Sequence, residues 1–196
     1  MARRILIIVA HPDPAPNRLS RALAAAYRQG AEGAGHNVRE LDLATLDIPI
    51  LRSQEDFLRG ATPPALVEAS QAIMEAEHIV LIFPLWLGTM PALLKAFLEQ
   101  TMRPGFAFAY GAGPAGLPKA ALAGRSARVV VTMGMPAMAY RLWYRSHGVA
   151  CLRRNILNFV GIRPVRETLI GQVESTSKAR REGWLTSMQK LGARAI

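Results

Sequence analysis

Short apolar runs alternate with stretches of helical periodicity along the chain. Residues 5–9 form a continuous apolar run that stops at His11-Pro12, which predicts a strand buried on both faces. From residue 17 to residue 33 apolar side chains return at helical spacing, and Asn17 is the expected N-cap. The same patterns predict further strands at 37–41, 78–83, 128–132 and 163–170, and further helices at 64–77, 91–101, 147–160 and 175–195.

This alternation of strands and helices predicts an α/β fold with a parallel sheet covered by helices on both faces. In such sheets ligands bind at the carboxyl ends of the strands. The loops after the first, third and fourth predicted strands are therefore the places to look for chemistry. Two connections have no clear pattern: 42–63, with weak structure, and 104–127, which is rich in Gly, Ala and Pro and long enough to shelter an adenosine.

Length and cysteine content predict one domain, 1–196, in a reducing cytoplasm. The chain has 196 residues, and Cys151 is its only cysteine, which excludes an intrachain disulfide. The longest apolar stretch, 79–94, is interrupted by Pro84, Gly88 and Pro91 and is too short to span a bilayer. The apolar core near the N-terminus, 5–10, is also too short for a signal peptide.

Positive charge is concentrated in the second half of the chain. The net charge is +10, with −2 in residues 1–100 and +12 in residues 101–196. Of 24 basic residues 20 are Arg, which favours a compositional origin together with a phosphate-bearing ligand. Nucleic acid is disfavoured because no stacking aromatics are interleaved with a basic strand and no recognition-helix pattern is present. A membrane surface or membrane-protein partner stays open.

The loop after the first strand predicts a phosphate site of an unusual kind. It contains neither G-x-G-x-x-G nor G-x-x-x-x-G-K, so the common dinucleotide and P-loop signatures are absent. It leads instead into a helix N-terminus beside His11, Asn17, Arg18 and Ser20. Free N–H groups and the positive end of the helix dipole suit an anion there, although Asn17 also fits a simple helix cap.

The other two loops suggest the walls of a pocket for a flat ring. After the third strand Trp86 is either the wall of a heterocycle site or a core residue. After the fourth strand three methionines near Gly134 form either a soft ligand wall or a core plug. Tyr140 completes this loop, and His147 is a candidate proton donor or a surface residue at a helix start.

Taken together, these loops resemble the flavodoxin-like NAD(P)H:quinone oxidoreductase family over nearly the whole chain. The Phe-Pro-Leu-Trp segment followed by Pro-Ala-x-Leu-Lys is the most specific part. The motifs are Ala10-His11-Pro12 with Asn17 and Ser20, Asp42-Leu43 with Asp47-Ile48-Pro49, Phe83-Pro84-Leu85-Trp86 with Pro91-Ala92 and Leu94-Lys95, Gly105-Phe106-Ala107-Phe108 with Tyr110, Thr132-Met133-Gly134, and Asn155-Ile156-Leu157 with Phe159 and Gly161-Ile162.

The resemblance implies a flavodoxin-like three-layer sandwich with strand order 2-1-3-4-5. It also implies a non-covalent flavin (FMN or FAD), NADH or NADPH as reductant, a homodimer, and two-electron reduction of quinone-like acceptors. The resemblance also implies a role for each matched position. The flavin phosphate would be bound by His11, Asn17, Arg18 and Ser20, and one side of the isoalloxazine ring by Pro84, Leu85, Trp86 and Leu87. The other side of the ring would be bound by Thr132, Met133 and Gly134, and the substrate would lie beside Tyr140 and His147.

Two other functions are also considered. Some relatives of this family are flavin-binding ancillary subunits of potassium efflux systems, and the basic second half suits docking on a membrane protein. Ala-His-Pro-Asp after the first strand resembles zinc-dependent deacetylases, but Pro14 and Ala15 replace the acids that follow there, so no metal is expected. Arg141 and Arg145 are candidates for binding the extra phosphate of NADPH.

Overall fold

A parallel sheet forms the centre of the protein in this computed structural model, which describes residues 1–111 and 118–196. The strands are β1 (Arg4–Val9), β2 (Asn37–Asp42), β3 (His78–Pro84), β4 (Phe108–Ala109), β5 (Lys119–Ala120), β6 (Ser126–Thr132) and β7 (Val165–Ile170). Five of them form one parallel sheet in the order β2-β1-β3-β6-β7, while β4 and β5 pair as a short antiparallel hairpin. Counted within the sheet alone the order is 2-1-3-4-5, so the predicted fold is confirmed.

Helices cover both faces of the sheet. They are α1 (Leu19–Gly33), α2 (Gln54–Arg59), α3 (Val67–Glu75), α4 (Ala92–Thr101), α5 (Ala137–Leu142), α6 (His147–Cys151) and α7 (Lys178–Ala193), with a π-helical turn at Leu152–Leu157. Ile5 and Ile7 of β1 pack with α1 and α7, whereas Leu6 and Ile8 pack with α3 and α4 on the opposite face. This alternation follows from the two-residue period of a strand, and it makes the three layers.

Two glycines allow the backbones of α1 and α7 to come into direct contact. A Cβ atom on Gly192 of α7 would lie 2.0 Å from the carbonyl oxygen of Tyr27, and one on Gly30 of α1 would lie 2.0 Å from that of Gln189. Any larger residue at either position would push the helices apart. The layer that supports the start of α1 therefore depends on residues far from it in sequence.

Several predicted boundaries are wrong by a few residues. The predicted 147–160 helix is α-helical only in α6 and continues as the π-helical turn. Strand β6 begins at Ser126 because that residue pairs with His78, a polar start that the apolar pattern did not indicate. Helix α2 lies in the 42–63 connection, where Ser53 accepts a hydrogen bond from the Asp56 N–H. None of its residues is buried, so it has no apolar stripe.

The 104–127 stretch contains the β4–β5 hairpin. Residues 112–117, part of the proposed shelter for an adenosine, lie outside the described residues. None of the helices in 1–111 and 118–196 combines the length and apolar character needed to cross a membrane.

Candidate active site

The loops after β1, β3 and β6 meet at the carboxyl edge of the sheet, as predicted. The rings of His11 and Trp86 lie edge to face with their centroids 6.3 Å apart. The N–H of Leu85, one residue beyond β3, donates to the carbonyl of Thr132 at the end of β6, at 2.8 Å. Pro84, the last residue of β3, is buried beneath this junction. Two of the predicted ring contacts, Leu85 and Thr132, are thus adjacent.

Residues 86–89 form a tight two-residue hairpin that projects from the edge. Trp86 and Thr89 exchange both backbone hydrogen bonds at 3.0 Å. Leu87 and Gly88 between them have φ values of 47° and 79°, the signature of a type I′ turn. Trp86 is 48% exposed, so the alternative that it belongs to the core is wrong. Leu87 is completely exposed and buries no surface in this chain.

The loop after β6 exposes fewer of the predicted ligand-contacting residues than its sequence suggested. Met133 is buried in the core, and its N–H donates to the carbonyl of Ile170 on β7 at 2.9 Å. Of the two readings of the methionines, the core plug is correct for Met133, whereas Met138 is exposed. Gly134 is exposed, and among the described residues its N–H has no acceptor. Gly134 is therefore an exposed donor of this loop that a ligand can reach.

Tyr140 is buried, and its hydroxyl is fully occupied by backbone groups. The hydroxyl donates to the carbonyl of Gly88 at 3.1 Å and accepts from the N–H of Val149 at 3.3 Å. Burial raises the pKa of this phenol, which keeps the proton on it. The side chain joins the 86–89 hairpin to α6 instead of facing an open pocket. This geometry fits a positioning role better than the expected proton relay.

His147 stands apart from this hydroxyl. It is exposed at the first residue of α6, and its side chain makes no hydrogen bond within the described parts of the chain. Gly148 beside it is tightly confined, because a Cβ there would lie 2.2 Å from the carbonyl oxygen of Gly88. The start of α6 is therefore fitted closely to the hairpin, while the imidazole of His147 remains free.

The start of α1 differs from the sequence prediction. Asn17 is exposed, and the helix begins at Leu19 with Arg18 in the N-cap position and no side-chain cap, so the prediction of Asn17 as N-cap is wrong. The backbone gives the reason, because the carbonyl of Arg18 accepts from the N–H groups of Arg21 and Ala22 and is therefore the first acceptor of the helix. The Asp13 carboxylate accepts from the N–H of Ala15 and pairs with the Arg18 guanidinium in the loop before it.

Two polar atoms at this helix start are buried without a partner. Ser20, in the first turn of α1, is 1% exposed, and its hydroxyl has no hydrogen-bond partner among the described residues. The same holds for Nε of Arg18. Leaving a buried hydroxyl unpaired costs about 1–3 kcal/mol. Together with the free N–H groups of a first helical turn, these atoms fit an anionic group such as a phosphate.

His11 is a neutral hydrogen-bond donor at this loop. Burial, followed by the nearby Arg18 charge, lowers its pKa below the ordinary value of 6.5, so the ring is uncharged at neutral pH. Its Nδ1 accepts from the N–H of Asp13 at 3.1 Å, which places the proton on Nε2. The Asp13 carboxylate itself has a lowered pKa, chiefly because it accepts from the Ala15 N–H.

Sequence reasoning missed the arginine that holds this loop in place. Arg21 pairs with Asp42 at the end of β2 and donates to the carbonyls of Asp13 and Ala15. It ties the first loop to the neighbouring strand. Arg21 lies in the first turn of α1, and its sequence position gave no signal of this pair because Asp42 lies far away in sequence. In residues 1–111 and 118–196 no three His, Cys, Asp or Glu side chains cluster as metal ligands do.

Comparison with known proteins gives one family and several relatives. Residues 3–191 match the model of a family described as having a flavodoxin-like fold. An uncharacterized NAD(P)H oxidoreductase of Haemophilus influenzae is 29% identical over 195 residues, covering 96% of this chain and 94% of that protein. An FMN-dependent NADH:quinone oxidoreductase of Ruegeria pomeroyi is 29% identical over 150 residues, which are 67% of this chain and 71% of that protein.

A solved structure shares the whole architecture. The NAD(P)H:quinone oxidoreductase of Methanothermobacter marburgensis superposes with a TM-score of 0.81 at 21% identity, covering 100% of both chains. At this identity the likeness establishes the fold.

Proposed function

The chain belongs to the flavodoxin-like fold family, and we propose from this premise that it is an FMN-dependent NAD(P)H oxidoreductase that reduces quinones or similar flat acceptors. The resemblance drawn from its motifs is confirmed at the level of this family. The names of its relatives in Haemophilus influenzae and Ruegeria pomeroyi support the activity, and the second of these supports FMN as the flavin.

The unpartnered hydroxyl of Ser20 is the observation that carries the proposal. It is buried at a helix start, where a phosphate oxygen would supply the missing acceptor. Arg18 Nε and the Nε2–H of His11 are further donors of the same loop. Asn17 is exposed just before the helix and is available to the same anion. These groups would hold the phosphate of FMN.

The carboxyl edge offers surfaces for the ring system. Trp86 and Leu87 present exposed apolar surface on one side, and Gly134 presents a free N–H on the other. A flavin held at this edge would supply the chemistry of hydride transfer between NAD(P)H and the acceptor. The Gly134 N–H would stabilise negative charge at the ring edge, and Tyr140 would keep the 86–89 hairpin in position.

The same edge of the sheet also bears on how the two substrates exchange and on which reductant is used. If nicotinamide and acceptor use one opening in turn, the kinetics are ping-pong. Arg141 and Arg145 are exposed on and beside α5, where they suit the extra phosphate of NADPH. His147 is the free group beside this segment that can give a proton to a reduced acceptor.

We further propose that the enzyme is a homodimer. An apolar cavity of about 330 Å³ opens between α4 and the π-helical turn. Phe57 from the 42–63 connection and Phe108 and Tyr110 from the hairpin segment line it. A second copy would cover this apolar surface, which is why we place the partner there.

FMN titration tests the phosphate site directly. We expect the parent to bind FMN and to oxidise NADH or NADPH with menadione, followed by absorbance. Ser20→Ala should weaken FMN binding by about tenfold or more, because a hydrogen bond to a charged group contributes roughly 1.5–3 kcal/mol. It should leave riboflavin binding unchanged, since riboflavin has no phosphate.

Ser70→Ala is the matched control, because Ser70 is also a buried serine but lies on α3. Equal weakening of FMN and riboflavin by Ser20→Ala would refute the phosphate assignment. A parent protein that binds neither FMN nor FAD would refute the function.

A further inference from the structure

Five large apolar side chains lie exposed near the opening of the candidate site, and we call them the rim patch. Leu87 is fully exposed, Trp143 is 84%, Leu142 73%, Met138 62% and Tyr144 48% exposed. Exposed apolar residues of this size are unremarkable singly, but contiguous groups mark interaction surfaces.

Hydrogen bonding and stacking join the two segments that carry the rim patch. Met138 and Leu142 stand one turn apart on α5, so they share a face of that helix. The rings of Tyr140 and Tyr144 stack at 6.3 Å, and the Tyr140 hydroxyl donates to Gly88, the residue after Leu87. The hairpin after β3 and the segment after β6 are therefore held as one surface.

The fold itself does not account for Leu87. A leucine with a φ of 47° adopts the left-handed conformation, which brings its Cβ atom too close to the backbone. Asn or Gly is the usual residue at that position of a type I′ turn. Because Leu87 is fully exposed, no burial within the chain offsets the strain. A strained residue that packs on nothing within the chain points to contact with a molecule outside it, and this contact comes in addition to the side that Leu87 presents to the flavin ring.

The charge around the rim patch is positive. Arg141 and Arg145 are exposed and form no ion pair within the described residues. From residue 140 to residue 166 the chain has six arginines and no acid. The nearest acids along the chain are Glu167, which pairs with Arg153, and Glu174 near Gly134.

We propose that the rim patch docks on an anionic lipid bilayer. Trp and Tyr favour the membrane interface, Leu and Met insert below it, and arginines bind anionic headgroups. A second copy of the chain is the rival occupant of this surface, and the test below distinguishes it from a bilayer. The apolar cavity at α4 is the better surface for a second copy.

This inference deepens the proposed function, since it would open the site towards lipid-soluble acceptors, but its test does not depend on catalysis. The protein is mixed with vesicles of phosphatidylcholine alone or with an equal part of phosphatidylglycerol, and sedimentation measures the bound fraction. We expect binding to the anionic vesicles at low salt and much weaker binding at high salt or to neutral vesicles.

Substitutions separate the contributions of apolar insertion and of positive charge to vesicle binding. Trp143→Ser should weaken binding to anionic vesicles about tenfold through lost apolar insertion. The double change Arg141→Gln with Arg145→Gln should weaken it about fivefold per arginine. Ile50→Ser is the matched control, an exposed apolar residue in another part of the chain, and should bind like the parent.

Three results would overturn the proposal. One is a parent that does not sediment with anionic vesicles, and another is equal loss in the Trp143 and Ile50 variants. The third is a Trp143 variant whose mass in solution, measured by light scattering, falls to half that of the parent, because the rim patch would then be an interface between copies. FMN binding measured in parallel reports separately on the proposed function.

Discussion

The strained leucine in the 86–89 hairpin allows a stability prediction of unusual sign. Replacing Leu87 by Asn should stabilise the folded protein, although most substitutions destabilise. The φ of 47° costs leucine roughly 1–2 kcal/mol, whereas Asn visits this conformation readily. Because Leu87 is fully exposed, the change removes no buried surface. We expect the free energy of unfolding to rise by about 1 kcal/mol, which raises Tm by about 3 °C for a chain of this size.

Thermal and urea unfolding of the FMN-free protein measure this effect. The matched control is Ile50→Asn, which makes a similar apolar-to-polar change at an exposed residue outside the left-handed region, and its stability should stay within about 0.5 kcal/mol of the parent. The same Leu87 variant should bind anionic vesicles less well. A Leu87→Asn protein that is less stable than the parent would show that the leucine makes stabilising contacts, and the argument from strain would be refuted.

Two further predictions concern buried groups on either side of the sheet. Burial lowers the pKa of His78 to about 3, below its ordinary 6.5. Between these values the unfolded chain binds a proton that the folded chain does not, so the free energy of unfolding should fall by about 1.4 kcal/mol for each pH unit below 6.5. His78→Gln should remove that part of the slope in urea titrations at several pH values, and an unchanged slope would contradict the assignment. Tyr140→Phe should cost about 2 kcal/mol because the Gly88 carbonyl and the Val149 N–H lose their partner. It should leave the pH profile of NAD(P)H oxidation unchanged, whereas loss of one limb of that profile would restore Tyr140 as the proton donor.

The fold was predictable because its signals are local. The apolar run of β1 and the helical spacing of α1 each follow from residues near one another in sequence, and alternation of the two types leads to a parallel sheet. Helix α2 escaped prediction because none of its side chains is buried, so it carries no periodic pattern. The π-helical turn after α6 escaped because its period is close to that of an α-helix.

For the candidate site, the sequence indicated loops that do meet at the carboxyl edge, but it did not indicate the state of each side chain. His11, Trp86 and Thr132 were expected at the carboxyl edge, and they lie there. Whether Met133 and Tyr140 face a ligand or the core depends on hydrogen bonds to β7 and to the 86–89 hairpin, which join residues distant in sequence.

By itself, the sequence determined an α/β fold of the flavodoxin-like kind, the edge of the sheet where a ligand is expected, and the positive charge of the second half. Only the tertiary structure decided that the Ser20 hydroxyl is buried with no partner in 1–111 and 118–196, that Arg21 reaches Asp42, and that Leu87 and Trp143 are left exposed. The physical reason is the distance along the sequence over which the interacting residues lie. Secondary structure follows from the spacing of nearby side chains, whereas burial, pairing and exposure depend on which distant elements pack together.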